Sequence, residues 1–135
     1  MTSSGTLRLA ALSGAVGVGL GAFGAHGLRP LLAATGHAAT WETAARYHLL
    51  HALALLAVGL WQQQQPANAA LNRAVICFGL GVALFSGSLY ALSLTGARWL
   101  GPITPIGGVF LIGGWLLLAR AATTAPPTSP PPPGA

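Results

Sequence analysis

Four runs of about twenty residues, each apolar around its whole circumference, dominate this chain. They begin near Leu7 (LRLAALSGAVGVGLGAFGAHGL), Glu42 (ETAARYHLLHALALLAVGLW), Leu71 (LNRAVICFGLGVALFSGSLYALSL) and Thr104 (TPIGGVFLIGGWLLLAR). At about 1.5 Å per helical residue such runs match a hydrocarbon core about 30 Å thick. A transmembrane barrel would alternate apolar and polar residues in segments of about ten, and these runs do not alternate. The implied fold class is all-α: an integral membrane four-helix bundle with helices over about 7–28, 42–61, 71–94 and 104–120. Charged residues are 5% of the chain and hydrophobic ones 53%, against roughly 25% charged in a soluble domain. A water-exposed surface cannot be built from so little charge.

The segments between the runs read as boundaries. Arg29-Pro30 stops the first helix, and the stretch to Trp41 makes a short interfacial turn. QQQQPAN (62–68) is a polar loop, and TGARWLGP (95–102) combines Gly, Pro and Trp. Trp41, Trp61 and Trp99 fall at the expected membrane edges, as an aromatic belt would place them. Trp115 falls within the fourth helix. Residues 1–122 form the membrane domain, and 123–135 form a Pro-rich tail that lacks the apolar residues for a core. The first run is longer and richer in glycine than a signal-peptide core, so it is read as a retained span.

The net charge of +5 comes from six Arg and one acid, Glu42. The arginines stand singly at helix ends, where they snorkel to headgroups. No basic run or aromatic platform accompanies them, so nucleic acid is not an expected partner. Arg8, Arg73 and Arg120 fall on one side, Arg29, Arg46 and Arg98 on the other. That tie leaves orientation open, although Glu42, one helical turn from Arg46, tilts it towards cytoplasmic termini. Cys77 is alone, without disulfide, redox or metal spacing.

Close packing must replace the hydrophobic drive inside lipid, and small residues supply it. Ser13, Gly17, Gly21 and Ala25 repeat every four residues on the first helix, and Gly79, Ala83, Gly87 and Ala91 on the third. Gly107-Gly108 and Gly113-Gly114 lie on the fourth. These faces serve the bundle itself, a second copy or a larger membrane complex.

The intramembrane polar residues gather in one half of the bilayer: His26, Tyr47, His48, His51, Ser86 and Tyr90. His51 lies about 13 Å along its helix from Glu42, near the midplane. Buried polar groups in a membrane are costly, which makes this cluster the candidate site. His48 and His51, at i and i+3, share a face, and with His26 they are the candidate ligands for a metal, haem or quinone headgroup. The plainer reading is that they hydrogen-bond across the bundle and bind no cofactor. With Glu42 as the sole acid there is no Ser/His/acid set, and neither a phosphate loop nor HExxH is present, so no catalytic residues are expected.

GAFGAHGL (21–28), YHLLHALALL (47–56), LFSGSLYALSLTG (84–96), and LGPITPIGG followed by GW (100–115) together resemble the domain-of-unknown-function 423 family, which includes animal transmembrane protein 256. The likeness spans about residues 7–119. It implies a bacterial inner-membrane protein of several spans and implies no activity. The family's motif positions correspond here to Gly24, His26, Gly27, Tyr47, His48, His51, Ser86, Gly87, Tyr90, Pro105, Gly107 and Gly108.

Overall fold

A computed structural model describes residues 1–123; of the Pro-rich tail expected over 123–135, Thr123 belongs to the last helix and the rest lies outside the described residues. The described chain is helical, with α1 over Ser3–Ala25, α2 over Arg29–Thr35, α3 over Ala38–Gln64, α4 over Ala69–Thr95 and α5 over Ile103–Thr123. A single 3-10 turn, Arg98–Leu100, precedes α5. Four of these helices are long and apolar enough to cross a membrane, as the sequence implies.

Local chemistry moves the helix ends. The Thr2 hydroxyl accepts from the Gly5 N–H at 3.2 Å, so α1 begins earlier than its apolar run. It also stops earlier, at His26, instead of continuing to Leu28. What was expected to be a turn before Trp41 contains α2, with Pro30 in its first turn and Gly36 closing it at φ 72°. Asn68 caps α4, its Oδ1 accepting from the N–H groups of Ala70 and Leu71. Gly96 ends that helix at φ 68°.

The spans pack in sequence: α1 on α3, α3 on α4, α4 on α5. The first and last share no comparable interface, so α3 and α4 form the centre. Both outer seams are antiparallel, and the α4–α5 seam has seven-residue spacing. On the α4–α5 seam, a side chain at Gly114 would meet Phe78, one at Gly81 would meet Leu111, and one at Gly107 would meet the Phe85 backbone. The Ser88 hydroxyl meets Thr104 at 2.7 Å on the next rung. Contacts step by three and four residues along each helix, the 3.5-residue seam of left-handed packing. On the α1–α3 seam Gly24 lies under Trp41, Gly17 under Leu49, and Leu7 against Gly59.

Within the bundle these contacts use only part of the expected packing stripes. A methyl group at Gly21, Gly79 or Gly87 would meet nothing within 4 Å, and Ala83 is exposed. Gly17 and Gly107 do stand at close approaches, and Gly108 is in ordinary contact with the Phe85 ring. The reason is rotational. α5 meets α4 at Phe78, Gly81 and Phe85, and α3 meets it at Phe78, Phe85 and Tyr90, so neither seam uses Gly79 or Gly87.

Candidate functional site

The hub of the polar cluster is α3, the span most enclosed by its neighbours. His51 lies at its centre, and both ring nitrogens are engaged. Nδ1 lies 2.8 Å from the Tyr47 carbonyl. A carbonyl only accepts, so Nδ1 carries the proton. Nε2 is then the acceptor for the Trp115 indole N–H at 3.2 Å. This bond joins α3 to α5, two helices that are not neighbours in the packing order. Phe78 completes an aromatic triad, its ring centroid 5.4 Å from both His51 and Trp115. Gly114 leaves the space that the Phe78 ring fills.

His48, one helical turn away, faces α1. Its Nε2 lies 3.1 Å from the Ser13 hydroxyl, while its Nδ1 is buried with no partner among protein atoms. The Tyr90 ring is 6.2 Å away. The Tyr90 hydroxyl and the Ser86 hydroxyl, one turn apart on α4, are likewise buried without a partner. Tyr47 is half exposed and lies against Phe85, ring centroids 4.6 Å apart. Ser93 and Ser88 turn back onto backbone carbonyls of α4.

Five of the six expected cluster residues therefore belong to the α3–α4 region, and one does not. His26 is exposed at the C-cap of α1, its backbone N–H bonded to the Ala22 carbonyl. The chain turns there into α2, which carries His26 away from His48 and His51. Among the described residues, no group of three His, Cys, Asp or Glu comes together to hold a metal ion. A ligand role for His51 would also require Nε2 to release Trp115, since a neutral imidazole has one acceptor.

Sequence reasoning left Trp115 without a role and assigned Trp41 to a membrane-edge belt. Trp41 is instead 3% exposed, its indole N–H donating to the Leu20 carbonyl at 3.0 Å and its ring edge-on to Tyr90. The available signal was the indole N–H itself, which seeks an acceptor wherever water is absent. Replacing Trp115 by Phe keeps a ring beside Phe78 and deletes the donor. The expected cost is about 0.6–1.7 kcal/mol, the range for interhelical hydrogen bonds in lipid. Reversible unfolding in mixed SDS micelles, followed by circular dichroism, measures it; an unchanged midpoint would show that the His51–Trp115 bond contributes no stability.

Comparison with known proteins gives a consistent picture. A family model described as "Protein of unknown function (DUF423)" matches residues 20–108. The UPF0382 membrane protein of Staphylococcus saprophyticus is 46% identical over 110 residues, covering 82% of this chain and 89% of its own. The Bacillus subtilis UPF0382 membrane protein YwdK is 40% identical over 110 residues, with 82% and 89% covered. The Escherichia coli UPF0382 inner membrane protein YgdD is 39% identical over 119 residues, covering 87% and 88%. No solved structure matches the chain.

Proposed function

Because the chain belongs to the DUF423 family of membrane proteins, a membership that assigns no activity, we propose that it is a non-enzymatic accessory subunit of the bacterial inner membrane. In this reading its polar cluster is a clamp that holds the spans in register for packing with a second copy or a larger complex. The observation that carries it is His51. Both nitrogens are spent on the protein itself, and the bond to Trp115 spans from α3 to α5. A histidine kept for ligation needs a lone pair to offer, and this one has none to spare. The inner-membrane placement rests on the description of the Escherichia coli relative.

The test is to purify the untagged protein in mild detergent from its own membranes and weigh the intact particle by native mass spectrometry. The expected result is a defined assembly, of several copies or with larger subunits, carrying neither metal nor haem in stoichiometric amount. Stoichiometric metal or haem that vanishes in His48→Ala would overturn the reading.

A second reading is favoured by one observation, the unpartnered His48 Nδ1, Ser86 hydroxyl and Tyr90 hydroxyl. Unpartnered buried groups cost about 1–3 kcal/mol each. A small molecule with hydrogen-bonding oxygens, such as a quinone headgroup, would satisfy them between α3 and α4. Lipid-soluble extracts of the purified protein, analysed for quinone per chain, separate the two readings.

A further inference from the structure

We infer that the end of the molecule where α3, α4 and α5 meet carries a binding site for the phosphate headgroup of an anionic phospholipid. A cavity of about 540 Å³ opens there between the last turn of α3 at Gln64, the loop at Pro66, the first turns of α4 and the last turns of α5. That volume falls within the ~300–1,000 Å³ typical of small-ligand sites. Its cationic walls are Arg73 and Arg120, both exposed, one near the start of α4 and the other near the end of α5. Both therefore sit at the level where a spanning helix meets the headgroups. A planar guanidinium offers paired N–H donors that match two phosphate oxygens. One comes from α4 and the other from α5, so a headgroup lodged between these two helices is offered both.

Three further features point to a lipid. The lining is amphipathic: Leu117 contributes an apolar wall beside the two arginines, and Leu116 next to it is exposed. Acyl chains would therefore run along α5 while the phosphate sits between the guanidinium groups. The chain's one acid, Glu42, is at the far end of α3, about 33 Å away. The Asn68 side chain already occupies the first amides of α4, accepting from Ala70 and Leu71. Recognition thus rests on the arginines and not on the helix terminus. Basic pockets between spans are the usual seat of anionic headgroups.

Full-length protein in mild detergent, given phosphatidylglycerol or phosphatidylcholine of the same acyl chains, tests this by native mass spectrometry. Phosphatidylglycerol is expected to stay bound at collision energies that strip phosphatidylcholine. Combined Arg73→Gln and Arg120→Gln should weaken retention ~fivefold for each arginine. Both side chains are exposed, so the packed seams survive the change, and Arg29→Gln with Arg98→Gln at the other face serves as the control with retention unchanged. Equal retention of the two lipids, or retention unaffected by the double change, overturns the site. A third arm offers inorganic phosphate without lipid. Saturable phosphate binding that the double change abolishes would assign the site to a soluble phosphate and overturn the lipid, whereas absence of such binding supports it.

Discussion

Gly107→Ala is expected to destabilise the protein by about 3 kcal/mol, while Gly108→Ala, one residue on, is expected to be neutral or stabilising by up to ~0.5–1 kcal/mol. The contrast follows from what each new methyl group would meet. At Gly107 it would strike the Phe85 backbone nitrogen, with the Phe85 Cα at 2.7 Å and the Leu84 carbonyl carbon at 2.8 Å. These are main-chain atoms of α4, locked into helical hydrogen bonds, and no rotamer change moves them. Relief requires α5 to shift away bodily, which would loosen the rungs at Gly81–Leu111 and Phe78–Gly114 and stretch the 2.7 Å bond between Ser88 and Thr104. At Gly108 the nearest atoms belong to the Phe85 ring at 3.8 and 3.9 Å, ordinary contact. There alanine gains helix propensity at no steric cost. SDS-driven unfolding followed by circular dichroism would rank the two variants, and similar losses at both sites would mean that α4 and α5 do not meet along this seam.

The same pair of glycines shows how far the sequence could be read. Long apolar runs placed four helices because length and lipid thickness leave few alternatives. Both glycines were expected at packed positions, and nothing in the string PIGGVF (105–110) separates one from the other. A stripe of small residues says that close approach is sterically allowed on a face; it does not say which neighbour arrives there. On a helix as rich in small residues as α4, several faces qualify. Gly79, Ala83 and Gly87 formed the more regular stripe, yet Gly81 is the glycine that Leu111 covers. The seam on α1 carried a better signal than the four-residue stripe. Ala10, Gly17 and Gly24 are all buried and seven residues apart, the spacing of a left-handed crossing.

The candidate site was legible to a similar degree. Depth alone turned His48, His51, Ser86 and Tyr90 inward, because polar groups in lipid avoid the acyl chains, and all four are buried. It could not place His26, whose position depends on where α1 breaks. The break is set by the turn at His26–Leu28 and by Pro30 opening α2, a helix of 7 residues too short to stand out as a span. Nor could it pair His51 with Trp115, since that contact depends on how α5 lies against α4.

Trp41→Ala is expected to cost about 4 kcal/mol. Trp41 is 3% exposed and touches more elements than a membrane-edge tryptophan would. Its indole fills the space above Gly24 on α1, donates to the Leu20 carbonyl at 3.0 Å, and packs edge-on to Tyr90 of α4 with centroids 4.7 Å apart. Leu32 of α2 and Ala44 and Ala45 of α3 join the same buried cluster. Truncation therefore opens a cavity where four helices converge and unties α1 from α3. Gly24→Ala attacks the same joint from the opposite side, because its methyl group would overlap the indole ring. It is expected to cost about 2–3 kcal/mol by displacing the ring and its hydrogen bond. The two losses are not additive. Once Trp41→Ala has vacated the space, the methyl at position 24 has nothing to strike, so Gly24→Ala in that background should cost under about 0.5 kcal/mol. A double-mutant cycle in SDS unfolding reads this coupling directly; additive losses would mean that Trp41 does not rest on Gly24, and would return it to the membrane edge.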